Sequence, residues 1–180
     1  MIKILLVGAG ESHQSILEHV KKEKTNDLEV TMISSSKSAE TYKRCEEAAV
    51  TFKEDTVISF DPLQKMLLSF SGGIYRFDVI SFDIDTKYSL FKQALVPVDS
   101  DGRMLVEDTL QNTEFPFLFG AGECVSIVGN TKNAKSTDKQ GYVLWNNMKR
   151  YIFGQKLESL NSGSMLTYIN CWIDRLFKRK

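Results

Sequence analysis

What this sequence has little of narrows its chemistry first. Two histidines, His13 and His19, are all that 180 residues contain, which leaves little for a metal centre or a Ser/His/Asp triad. Its three cysteines, Cys45, Cys124 and Cys171, are scattered, with neither a CxxC pair nor metal-ligand spacing. An odd, unclustered set fits reduced thiols and predicts a cytoplasmic protein. The 23 Lys+Arg and 23 Asp+Glu cancel, so no global field draws nucleic acid to the chain. No apolar stretch is long enough to cross a bilayer. The apolar opening is cut short by Gly8 and Gly10 with no cleavage-like site after it, so it does not read as a signal peptide. Repeats and low-complexity segments are absent too. With 42% hydrophobic and 26% charged residues, the remainder has the balance of an ordinary globular domain with enough chain to bury a core.

The order of patterns predicts an α/β fold. Ile2 to Val7 is a continuous apolar run ending in glycines, the signature of a buried parallel strand. From Ser12 to about Lys24, the helical spacing of Ile16, Leu17 and Val20 predicts a helix, and Leu28 to Ile33 a second strand. Together they make a βαβ unit of nucleotide-binding length. A polar helix follows from about Ser38 to Ala48. Short strand-like pieces between Thr51 and Phe77, separated in part by Asp61-Pro62 and Gly72-Gly73, predict a small antiparallel meander at about 51–77. Phe77 to Asp83 returns to a parallel-type strand. Ile84 to Val96 has no clear period and reads as a seam. Arg103 to Val106 and Phe117 to Ala121 are the last strands, followed by helices over Ser136 to about Phe153 and Met165 to Phe177.

Two strand-to-turn junctions carry the chemistry. Gly8-Ala9-Gly10-Glu11-Ser12-His13 has the first two glycines of a GxGxxG turn, with His13 in the third position. The first glycine permits the tight turn, the second lets backbone approach a pyrophosphate, and amides at the helix start face the anion. Such turns also occur without a ligand; the strand before this one and the amphipathic helix after it give it meaning. His13 reads either as a ring turned toward a ligand or as a half-exposed first-turn residue. Where dinucleotide folds usually offer an acid to a ribose, Ile33 is followed by Ser34, Ser35 and Ser36, which form a weaker ribose site or a solvated loop. The second junction is Pro116-Phe117-Leu118-Phe119-Gly120-Ala121-Gly122-Glu123-Cys124, an apolar run stopped at a small-residue turn. Glu123 there can accept hydrogen bonds from a polyol, or be a surface acid. Thr137 and Gln140 carry a capping-box pattern, and a free helix start favours a neighbouring anion by about 0.3–1 kcal/mol.

These residues together resemble the flavin-dependent pyridine nucleotide-disulfide oxidoreductase superfamily, most closely the branch of type II NADH dehydrogenases and proteins linked to selenide water dikinase. Gly8, Gly10 and His13 match that branch's GGGHxH turn, from which Glu11 departs. Ile33-Ser34 matches its second-strand ending, Asp61-Pro62 its meander, and Tyr75 to Ile84 its YDxLSxDIG strand. Asp101-Gly102-Arg103, Val106 and Thr109-Leu110-Gln111 resemble the segment before its PxIFAxGDCA motif. That motif is similar to Pro116 to Cys124, with Glu123 for Asp. Lys139-Gln140-Gly141 to Asn147 resembles the RQGxxxAxNL helix, and Trp172 to Phe177 the family's tail. The resemblance implies a Rossmann-like parallel sheet with an antiparallel meander and C-terminal helices, binding FAD. It implies that Gly8, Ala9, Gly10, Glu11, Ser12 and His13 hold the pyrophosphate, with Ser34 and the adjoining Ser35 at the adenosine ribose. Backbone near Val57 would meet the adenine and Asp83 would lie by the first turn. Glu123, beside Gly122, would bind the ribityl chain, and the Gln140 helix would cap the isoalloxazine.

One departure shapes the functional expectation. The family inserts a second nucleotide domain of roughly 100 residues, far more than a short connection can replace, where this chain has only Asp85 to Val98 and no second GxGxxG. The expectation is one FAD-binding domain over 1–160, with a seam at about 85–98, that exchanges electrons with a redox partner or small acceptor rather than with NAD(P)H. The family's dithiol is missing too, so Cys45 reads as a structural thiol or one near the flavin. A non-catalytic nucleotide-binding or interaction module is the alternative; an NAD- or AMP-binding protein would leave the Gly122-Glu123 turn without a purpose. At 161–180, Met165, Ile169, Trp172, Ile173 and Leu176 share a helical face before Lys178-Arg179-Lys180. That face can dock on its own core, form a homodimer interface, or lie peripherally on an anionic membrane.

Overall fold

The computed structural model describes residues 1–23, 27–36, 38–85, 89–129 and 137–160. At its centre is β1, Ile2–Val7, paired in parallel on both edges. Side chains alternate across a strand, so Ile4 and Leu6 enter one core and Leu5 and Val7 the other. That two-sided burial is why the run is continuously apolar. Helix α1, Glu11–Glu23, turns Ile16, Leu17 and Val20 inward, with Glu11 in its first turn and Lys21 and Lys22 in its last, matching the helix dipole. Strand β2, Leu28–Ser34, pairs beside β1. Helix α2, Ala39–Glu47, is capped by Ser38, whose hydroxyl accepts from the Thr41 amide at 3.0 Å.

Here the structure corrects one boundary. Strand β3, Thr51–Glu54, is no part of the meander; it pairs in parallel with β2 and is the edge of the main sheet. The antiparallel meander is β4, Val57–Asp61; β5, Met66–Ser69; and β6, Ile74–Arg76. Strand β7, Val79–Phe82, then returns to the far side of β1, and β9, Leu118–Gly120, pairs outside it. The five-stranded order is β3-β2-β1-β7-β9. Crossovers leave β1 in opposite directions, so the carboxyl ends of β1 and β7 form a topological switch point, where open α/β sheets bind ligands.

The seam is not structureless: α3, Ser89–Gln93, buries Phe91 edge-on against Phe82 at 5.1 Å between centroids. Strand β8, Met104–Val106, pairs in parallel with β10, Val125–Ile127, a three-residue strand that sequence periodicity does not reveal. Helix α4, Thr137–Ile152, packs along α1. The sheet thus lies between a helical layer and a layer made of the meander, α3 and β8. The tail helix expected from Met165 to Phe177 lies outside the described residues. Among the described residues no helix is long and apolar enough to cross a membrane.

Candidate functional site

Asp83 organises the site. It follows β7 at the switch point and is buried, with 7% of its surface exposed. Its backbone carbonyl lies so near Gly8, whose φ is +94°, that a Cβ there would come within 2.1 Å. Its carboxylate would meet a Cβ on Gly10 at 2.3 Å and one on Gly122, φ +71°, at 2.4 Å. The same carboxylate accepts from the His13 amide at 3.1 Å, answering one of the orphan N–H groups of the first turn of α1. The Gly122 amide donates to Gln140 Oε1 at 3.1 Å, tying the turn after β9 to the start of α4. Two glycine turns, distant in sequence, therefore close on one side chain.

His13 is fully buried, so it is neither a half-exposed residue nor a ring presented to solvent. Its Nδ1 lies 2.8 Å from the Gly8 carbonyl and its Nε2 2.9 Å from Ser81 Oγ. A carbonyl only accepts, so Nδ1 carries the proton, and in the neutral ring that burial favours Nε2 accepts from the serine hydroxyl. Burial pushes the pKa of His13 down, against opposite pulls from the Asp83 charge and the Gly8 carbonyl. The ring is a neutral brace between β1 and β7. In the third-glycine position it supplies a hydrogen-bonded link from the helix start to both strands.

Ser12, fully buried one residue earlier, has a hydroxyl with no hydrogen-bond partner among the described residues. Unpaired buried hydroxyls are costly and call for an explanation. This one stands where α1 and α4 meet: a Cβ on Gly141 would come within 2.7 Å of the Ser12 carbonyl and 2.5 Å of Ser15 Cβ. Among the described residues no hydrogen bond engages the amides of Glu11 and Ser12. Ala9 is held from behind, its carbonyl accepting from Gln14 Nε2 at 3.3 Å.

The other sequence-selected residues lie farther along the carboxyl edge. Ser34 ends β2 and is buried; its hydroxyl accepts from the Ser36 amide at 3.4 Å and its carbonyl from Asp55 at 3.0 Å. Ser35 is exposed, and half-buried Val57 opens β4 just after the end of β3. Glu123 is exposed on a single 3-10 turn, Gly122–Cys124. Thr137, the expected capping residue, begins α4, but its side chain is outside the described set. Cys45 is buried against Met32 Sδ at 3.8 Å, and burial pushes its thiol up to about 11. Cys124 is raised to about 12 the same way, with Sγ 3.3 Å from the Ala121 carbonyl. Both are structural thiols, poor nucleophiles at neutral pH. No group of three or more His, Cys, Asp or Glu able to hold a metal occurs among the described residues.

A cleft of about 650 Å³ opens beside the first turn between α1 and α2, lined in part by Ala9, Glu11, Gln14, Glu18, Glu40 and Arg44. Arg44 pairs with Glu40 at 2.6 Å and lies 3.9 Å from Glu18. With three acids against one base, the lining of this cleft is net acidic.

No protein-family model matches the sequence, and no curated protein is significantly similar to it. Solved structures do match. A pyridine nucleotide-disulfide family oxidoreductase from Enterococcus faecalis V583 superposes with a TM-score of 0.65 at 12% identity, covering 84% of this chain and 69% of that one. NADH:rubredoxin oxidoreductase from Clostridium acetobutylicum gives 0.58 at 13% identity, covering 81% and 74%. Against the sulfide:quinone oxidoreductase of Aquifex aeolicus the TM-score is 0.38 at 14% identity, and the match spans 46% of this chain and 24% of that one. The first two matches establish that this chain has the Rossmann-like fold of those oxidoreductases.

Proposed function

We propose that this chain is a minimal FAD-binding flavoprotein that exchanges electrons with a partner protein or small acceptor rather than oxidising NAD(P)H directly. The observation that carries this reading is the closure of two glycine turns on Asp83 at the switch point. The fit rests on the donors there: the amides of Glu11 and Ser12 and the orphan Ser12 hydroxyl lie together at the start of α1. In this reading Gly8 to His13 hold the pyrophosphate through backbone, while Asp83 and the His13 ring fix the turn's shape. Ser34 and Ser35 stand at the ribose, backbone near Val57 at the adenine, Glu123 at the ribityl chain and the Gln140 helix at the ring. A bound flavin supplies the redox chemistry, and the protein supplies binding and electrostatic setting. Similarity to an enzyme whose name pairs NADH with rubredoxin supports a protein as electron partner. The sequence offers no second GxGxxG-type turn for a nicotinamide nucleotide.

One observation favours a second reading, a non-catalytic nucleotide-binding or interaction module. Asp83 is already an internal anion at the helix start, so the glycines have a packing reason apart from any ligand. Reconstitution with FAD followed by anaerobic mixing separates the two. A flavoprotein of the proposed kind shows flavin absorbance bands, keeps its oxidised spectrum with NADH or NADPH, and is reduced by dithionite. Rapid bleaching by either nucleotide contradicts the exclusion of direct oxidation, and failure to retain flavin favours the second reading.

A further inference from the structure

We propose that the acid selecting the ribose of a bound adenine nucleotide is Glu54, supplied by β3 where dinucleotide folds usually draw it from β2. The inference rests on the FAD reading and names a specificity residue within it. Strand β2 ends in serine, and the Ser34 hydroxyl and carbonyl both accept from the local backbone. The parallel register makes Glu54 the direct partner of Ser34. Neighbouring strands lie about 4.8 Å apart, and partners in register project to the same face. Glu54 therefore stands at the corner where a β2 acid would stand, one strand over, on a side chain long enough to reach back.

Elimination points the same way. Asp55, the other acid at this corner, is committed to the meander: it accepts from the Thr56 amide at 2.8 Å, the Ser71 amide at 3.3 Å and the Ser71 hydroxyl. Hydrogen bonds from Ser69 and Ser71 hold its carboxyl down at about 2. Glu40 is paired with Arg44. Glu54 is exposed and makes no ion pair among the described residues. A carboxylate can accept from both hydroxyls of a ribose 2′,3′-diol, and charge-assisted bonds of this kind are the stronger ones. The same charge rejects a 2′-phosphate. The ligand class is thus an adenine nucleotide with an unphosphorylated ribose.

The test is calorimetric titration with ADP, 2′-deoxy-ADP and 2′-phospho-ADP, with FAD followed in parallel by flavin fluorescence. Wild-type protein is expected to bind ADP about tenfold more tightly than 2′-deoxy-ADP, the low end for hydrogen bonds to a charged group, and 2′-phospho-ADP more weakly still. Glu54→Gln is expected to bring ADP and 2′-deoxy-ADP within about twofold and to ease rejection of the 2′-phosphate. If Glu54→Gln keeps the full discrimination, or Ser34→Ala removes it instead, the assignment to Glu54 is wrong. FAD binding without any ADP preference overturns this inference alone, whereas binding of neither FAD nor ADP overturns the flavin reading and this inference with it.

Discussion

His13 shows how one residue can replace a motif position with a different solution. A glycine there allows close packing; the buried imidazole instead spans from the Gly8 carbonyl to Ser81. The substitution was visible in the sequence, but its meaning was not, because its partner lies 68 residues away on a strand placed by topology. Asp83 was legible only as a residue near the first turn; that it also abuts Gly122 depends on the β7–β9 pairing. The buried state of His13 has a pH consequence. Its folded pKa is depressed, so below about 6.5 the unfolded chain binds a proton the folded one does not. The stability it contributes is present above that pH and lost as pH falls toward the folded value. The slope reaches at most about 1.4 kcal/mol per pH unit for one such group. Half-buried His19, lowered chiefly by burial, adds a slope of the same sign. Asp55, held at about 2, contributes only below about pH 4. Urea denaturation is therefore expected to show stability dropping from pH 7 to 5, and a flatter dependence in His13→Gln. A wild-type curve that is flat over that range would argue against a neutral buried His13.

At the scale of elements, the βαβ opening was readable because its periods are long and unmixed. Strand β3 was misplaced because four residues, largely exposed, look alike in a parallel edge and in an antiparallel meander. What decides is the α2 crossover, which returns the chain beside β2. Strand β10 is shorter still and forms only because β8 offers it an edge. The position of α4 rests on contacts no motif announces. Trp145 Nε1 donates to Glu23 at 2.9 Å, and Asn147, fully buried, donates to the carbonyls of Thr109 and Glu158 at 2.8 and 2.7 Å while accepting from the Glu158 amide at 2.8 Å. One carboxamide thus joins α4 to the segment after β8 and to the following strap. Asn147→Ala strands two carbonyls and an amide, each unmet group costing about 1–3 kcal/mol where water cannot replace the bond. A net loss of about 2–4 kcal/mol in chemical denaturation is expected. A change under 0.5 kcal/mol, the size of an ordinary surface substitution, would mean water replaces those bonds freely.

For the whole molecule, the fold class followed from the sequence, and the two strand-to-glycine junctions that it singled out meet at one switch point of the sheet. The electrostatic division did not: the open α1–α2 cleft is acidic, while the Glu11 and Ser12 amides, which make no hydrogen bond among the described residues, lie at the adjoining turn. Nor did the proposed ribose acid, Glu54, whose place beside Ser34 depends on strand register. In the proposed function one dinucleotide lies along the carboxyl edge, gripped at its adenosine end as well as at its flavin end. Comparing the affinities of FAD and FMN tests this most directly, since FMN lacks the adenosine half. Equilibrium titration followed by flavin fluorescence is expected to give one FAD per chain, bound at least about a hundredfold more tightly than FMN, a gap of roughly 2.7 kcal/mol. Equal affinity for the two flavins, or no saturable binding of FAD, would contradict it.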